Sequence, residues 1–250
     1  MARRRAATLT RHVTALAVAA AAFGVFWASR PEWDPEMRLW KAVGDVSLVL
    51  LLATMALGPL ARLWRGAGRA LPFRRELGVW FALVALVHAV LVLNGWARWS
   101  LMQLLGYEFV PQLGRTARME PGFGLANIIG LIALTWGLVL AATSSDRALR
   151  LLGPSAWKWL HNGAYVVFWL TTAHVAYFLF LHYTLSFHKQ PPPPDWFGAP
   201  FLVLAGGVVL LQLAAFVTTA RARKKTARQP ADDARGKRSS APKTSRRAPT

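Results

Sequence analysis

The stretch from Ala156 to His182, AWKWLHNGAYVVFWLTTAHVAYFLFLH, constrains this chain more than any other. About 20 apolar residues, each rising roughly 1.5 Å, carry a helix across the hydrocarbon core of a bilayer, and this run is long enough. It also contains His161, His174 and His182. An ionisable side chain inside a spanning helix is costly, so it marks function by default and needs a partner. His161 and His174 are 13 positions apart, about 19.5 Å along a helix axis, which suits two cofactors stacked across one membrane. Thirteen steps of about 100° end about 220° past three turns, so a straight helix does not present both on one face. Either the helix is locally irregular or the two sites are offset sideways.

Composition extends the membrane reading to the whole chain. Of 250 residues, 54% are hydrophobic, above the roughly 45–50% usual for a soluble domain. Six apolar runs stand out, at residues 13–28, 43–63, 76–97, 123–143, 156–182 and 197–220, and predict an all-α polytopic bundle of six transmembrane helices. The basic leader before the first run also resembles a secretory signal peptide. The length of that run and its Phe26-Trp27 end favour a span. Pro59 is expected to kink or end the second span. The long link from 98 to 121 is expected to lay a short amphipathic helix in the interface around Trp99, Leu101, Met102, Leu104 and Leu105. The HKQPPPPD segment reads as a stiff extended connection, and residues 221–250 as a disordered basic tail with almost nothing to bury.

Charge sets the expected orientation. The net charge of +19 would ordinarily raise nucleic-acid binding, but the cations lie at span ends and in the tail. Residues 1–12, the Arg62–Arg75 link, the link with Arg147, Arg150 and Lys158, and the tail fall on one side, which places both the N- and C-termini in the cytoplasm. Tryptophans near span ends (Trp40, Trp64, Trp96, Trp99, Trp157, Trp159 and Trp196) are expected at the interfaces. The polybasic tail is expected to be drawn to anionic lipid.

Absence of cysteine removes disulfides, thiolate catalysis, iron–sulfur clusters and cysteine-ligated haem, and leaves histidine as the metal-ligand type. His12, His182 and His188 read as solvated or interfacial. His88 and His174 lie among apolar neighbours at similar depth: about 19.5 Å from Arg75 and about 24 Å from Lys158, whereas His161 is only about 4.5 Å from Lys158. Two imidazoles on facing helices suit haem iron, which takes an axial ligand on each face, and with both positions filled the job is electron transfer. The alternative is a pair of packing histidines bonded to each other or to Thr171, Thr172 or Asn94. A transporter or proton relay calls for carboxylates within the spans, and none stands out.

The run AATSSDRALRLLGPSAWKWLHNGAYVVFWLTTAH resembles the ferric-reductase-like transmembrane family, as do GDVSLVLLLATMALGPLARLW in the second span and RRELGVWFALVALVH leading into His88. The resemblance covers roughly Asp34 to Phe180. It implies a six-span b-type cytochrome of the bacterial inner membrane, fed by a cytoplasmic flavin such as FMN or by a quinol. In the branch that looks nearest, it delivers electrons to a periplasmic molybdenum-containing subunit that reduces methionine sulfoxide. Another acceptor, such as a ferric chelate, is the alternative, and a cofactor-free transporter or scaffold is the third reading. The family's haem-ligand histidines fall on His88, His161 and His174. The fourth ligand position falls on Arg74, which reads as an anchor or a cation near a haem propionate, since a guanidinium ligand would have to lose a proton held above a pKa of about 12. One haem b, at His88 and His174, is the firm expectation, and a second at His161 stays open. Family members with their own flavin and nicotinamide domains continue beyond the last span. Here only residues 221–250 follow and no GxGxxG motif is present, so this chain is expected to borrow its electrons.

Overall fold

A computed structural model gives the fold, and the structure describes residues 2–118, 121–182 and 193–239. Its helices are α1 (Ala2–Ala28), α2 (Pro35–Leu63), α3 (Phe73–Asn94), a single turn α4 (Leu101–Leu104), α5 (Pro121–Ala142), α6 (Asp146–Asn162), α7 (Ala164–Ala176) and α8 (Gly198–Ser239). Six stretches within them are long and apolar enough to cross a membrane, the fifth running from Asp146 through Leu181.

The central helix is α2. Of its most apolar window 39% is buried, against 17% to 22% for the other spans, and it packs against α1, α3, α7 and α8. Its start is set by Asp34, whose carboxylate accepts from the N–H groups of Glu36 and Met37 at 3.0 and 3.2 Å, with Pro35 as the first helical residue. That is the usual chemistry of a helix N-terminus, and it opens the helix eight residues before the apolar run. Pro59 does not end α2, which continues to Leu63. Leu48, Leu50, Leu51 and Met55 of α2 meet Phe81 and Ala82 of α3, Val167 and Phe168 of α7, and Phe197 and Phe201 at the start of the last helix.

Several expectations need correction. The fifth span is not one helix from 156. Asp146 starts α6, capped by Ser145, which accepts from the Ala148 N–H at 3.0 Å, and Gly153 then bends the chain at φ 75° before Pro154. Gly163 interrupts it again, because the Trp136 indole packs where a Cβ would stand. A π turn follows at Tyr177–Leu181.

The link from 98 carries the helical turn α4, but also a β-hairpin, β1 (Tyr107–Val110) with β2 (Arg115–Arg118), closed through Gly114 at φ 59°. In place of disorder from residue 221, α8 runs on to Ser239, through Ala, Arg, Lys and Gln that favour a helix. His188 and the first two prolines of the run, Pro191 and Pro192, lie outside the described residues.

Among the described residues, two buried carboxylates lie within the spanning helices, contrary to expectation. Glu76 of α3 is 1% exposed and accepts from Arg11 of α1 at 2.9 Å. Asp45 of α2 is 4% exposed and accepts from Arg30, itself 2% exposed, at 2.6 Å. Arg30 also donates to Asp195 at 2.8 Å, and Lys41 pairs with the other Asp195 oxygen at 2.9 Å. These four groups tie the end of α1, the start of α2 and the approach to α8 together.

Removing one member of a buried pair leaves the other charge uncompensated, at a cost of about 3–5 kcal/mol. Arg30→Ala is therefore expected to lower the unfolding midpoint of the detergent-solubilised protein sharply. Arg75→Ala, which breaks the exposed pair with Asp146, costs about 1 kcal/mol or less; equal effects would refute the contrast. Burial by itself raises the Asp195 carboxyl, but Lys41 and Arg30 outweigh it and hold it below the ordinary carboxylate value. Its contribution is then fully present above the unfolded-state pKa and lost as pH falls through the lower folded value. Acid denaturation curves of the wild type and of Asp195→Asn should converge at the acid end.

Candidate functional site

The site is built by two helical hairpins, α2 with α3 and α5 with α7. His88 of α3 places Nδ1 2.9 Å from the carbonyl oxygen of Trp40 in α2. His174 of α7 places Nδ1 2.8 Å from the carbonyl oxygen of Ala126 in α5. A carbonyl oxygen has two lone pairs, so it can accept an imidazole N–H in addition to its helical bond. A carbonyl accepts but never donates, so Nδ1 carries the proton and the Nε2 lone pair is left for a metal. Neither histidine uses Thr171, Thr172 or Asn94 in these bonds, and the two do not bond to each other.

Glycines make room for both rings. A Cβ on Gly44 of α2 would lie 3.0 Å from the His88 ring, and one on Gly130 of α5 would lie 2.7 Å from His174 Nδ1. The two hairpins share one plan. Trp40, Gly44 and His88 recur 86 residues later as Ala126, Gly130 and His174, with 48 residues between carbonyl and imidazole each time. The backbone repeats as well: Ala97 donates to the Val92 carbonyl in a five-residue turn after His88, and the π turn follows His174. Both halves run in the same direction, the arrangement of a parallel repeat about an axis normal to the membrane.

Between the halves lies a cavity of about 330 Å³ lined by His88, His174, Gly44 and Gly130, with apolar walls from Phe81, Ala85 and Leu134. That volume falls within the usual range for small-molecule and cofactor sites. The cavity is also lined by Lys41 and Asn127 from the helices, Trp96 from the turn after α3, and Gly106 and Glu108 from the hairpin region. His182, expected at the interface, is instead 7% exposed and lines this cavity, its ring against Phe123 and Phe178. Trp40 and Trp96 likewise line the cavity, whereas Trp64, Trp99 and Trp159 are exposed at span ends.

Opposed imidazoles, protonated on Nδ1 and projecting into an apolar cavity with space cleared beside each ring, fit an iron porphyrin with two axial histidines. The other expected ligands lie elsewhere. His161 is half-buried at the far end of the fifth span, its Nε2 3.3 Å from the Thr143 hydroxyl and its ring stacked 4.0 Å from Trp157. Arg74 is exposed; its Nε donates to the Thr54 carbonyl at 3.3 Å, near enough to His161 for its charge to act there. Among the described residues no second histidine faces His161, and no three metal-ligating side chains of the His, Cys, Asp and Glu types gather.

The sequence reading overlooked Gly44, Gly130, Lys41 and His182. The repeated glycine 44 residues before each histidine was the available signal for the first two.

Gly130→Ala would push its methyl group into His174 and cost about 1–3 kcal/mol by overpacking. Gly206 has nothing within 4 Å of its Cβ position, so Gly206→Ala should be neutral or stabilise by up to about 1 kcal/mol. Thermal unfolding of the two variants in one detergent checks the difference, and equal midpoints would argue against a tight fit at Gly130.

The family described as ferric reductase like transmembrane component matches residues 40–172. Curated relatives carry the name protein-methionine-sulfoxide reductase heme-binding subunit MsrQ. That of Pectobacterium atrosepticum is 32% identical over 171 residues, 68% of this chain and 75% of the relative. That of Cronobacter sakazakii is 32% identical over 192 residues, 77% and 80% of the two chains. The Klebsiella pneumoniae protein is 31% identical over 153 residues, 60% and 70%. No solved structure is significantly similar. The match over the helices that build the cavity places the chain: it belongs to the ferric-reductase-like transmembrane family, and within that family it is similar to the MsrQ subunits.

Proposed function

We propose that this chain is a haem b electron-transfer subunit of the bacterial inner membrane, with His88 and His174 as axial ligands. In this reading both termini are cytoplasmic. The chain takes electrons from a cytoplasmic flavin such as FMN or from a quinol, and passes them to a periplasmic molybdenum-containing reductase of methionine sulfoxide. The observation that carries it is the pair of imidazoles fixed through Nδ1 by the Trp40 and Ala126 carbonyls across one apolar cavity. The names of the relatives support the haem and the methionine sulfoxide system.

Haem held there by His88 and His174 would supply a one-electron carrier. The protein's part is to orient and to exclude. The two carbonyls fix each ring's tautomer and angle, which raises its basicity as a ligand. Gly44 and Gly130 let the rings tuck against α2 and α5, and Phe81, Ala85 and Leu134 keep water from the inner wall. Electrons enter from the end with the basic loops, where His161, Trp157 and Thr143 lie and where Arg74 serves as an anchoring cation. The hairpin end, where Glu108 and His182 close the rim, faces the acceptor.

The absorption spectrum of the purified protein tests this. A b-type spectrum should be present in the wild type, lost in His88→Ala and His174→Ala, and kept in His161→Ala. Survival of the spectrum in either of the first two variants would refute the ligand assignment. Reduced protein should reoxidise on addition of the periplasmic reductase with methionine sulfoxide, and failure to do so would remove that acceptor.

A further inference from the structure

The two halves of the cavity match in shape but differ in charge. Lys41 stands at the rim, next to Trp40, whose carbonyl holds His88. The residue 86 positions later is Asn127, which also lines the cavity but is neutral, its Nδ2 donating to the Leu104 carbonyl at 2.8 Å. Repetition of the half-site therefore leaves one ammonium on one side. Lys41 lines the same cavity as His88 and His174.

The other charged groups nearby are distinct in placement. Arg30 is held by Asp45 and Asp195 and does not line the cavity; Asp45 lines it but is paired with Arg30; Glu108 reaches the rim from the hairpin. Asp195 approaches from the segment before α8 and pairs with Lys41 at 2.9 Å, so it both positions the ammonium and offsets its field.

We infer that Lys41, opposed by Asp195, is the residue pair that sets the reduction potential of the group held between His88 and His174. This rests on the haem reading above. A cation beside a redox centre favours the state with the added electron, and in a low-dielectric cavity that preference is strong. Removing the ammonium makes reduction harder. Removing the carboxylate while the ammonium stays makes it easier. Lys41 and Asp195 act as positioning and tuning residues and bind no metal.

The test is a redox titration of the purified haem-loaded protein, read from its absorption spectrum. Lys41→Met, which keeps the apolar stem, should lower the midpoint by about tenfold in the reduction equilibrium, about 59 mV for one electron. Lys41→Arg should stay near the wild type, and Asp195→Asn should raise the midpoint. A pair that is only structural would move both variants in the same direction, through loosening and water, or move neither; either result overturns the inference. If Lys41→Met does not fold, the sign of the Asp195→Asn shift decides by itself. Absence of haem from the wild type would refute the function reading, whereas a normal wild-type spectrum with unmoved midpoints would refute this inference alone.

Discussion

Two backbone carbonyls, those of Trp40 and Ala126, hold the centre of this bundle in place. Each accepts an imidazole Nδ1–H from a neighbouring helix. A polar ring in an apolar interior costs several kcal/mol if unpaired, and the cheapest partner in a membrane helix is one that the helix already supplies. A carbonyl is rigid, so it fixes the ring's tautomer and direction together. It can be reached only if the helices come close, and Gly44 and Gly130 permit that approach on the two sides. Hydrogen bond, glycine and helix contact thus form one device, used twice.

Because the device is used twice, the differences between its copies carry the information. The inner walls are alike and apolar. The polar lining is not: Lys41 corresponds to Asn127, and Trp96 to His182. The charges around Lys41 also join segments far apart in the chain, Arg30 at the end of the first span and Asp195 before the last. The Lys41 side of the site is therefore tied to the end of the first span and the approach to the last, although the imidazoles belong to the third and fifth.

The six spans, their order and the pairing of His88 with His174 by depth were legible in the residues, because hydrophobic length and rise per residue act locally. Less was legible where a backbone departs from ideal geometry. The interruption at Gly163, where the Trp136 indole packs, and the π turn after His174 carried no signal that was read, and the bend at Gly153, with nothing within 4 Å of its Cβ position, is a local matter of Gly before Pro154. The link after the third span was read as an amphipathic helix, and the pattern of its first residues holds only for one turn. Gly114 then allows the chain to reverse into a hairpin. Nothing in the residues around Arg30 and Asp45 marks them as a buried pair, since a charge reveals burial only once its partner is brought to it.

The sequence by itself determined that this is a six-span helical chain without cysteine, and it singled out His88 and His174, which the structure brings to one cavity. Composition, span length and the absence of cysteine decide those points without any contact between distant residues. Only the tertiary structure decided which way the imidazoles face, that His182 turns inward, and that a single ammonium is left at the rim. Those outcomes depend on interhelical distances of a few ångströms, set by glycines and carbonyls on other helices, and the periodicity of one helix carries no record of its neighbour.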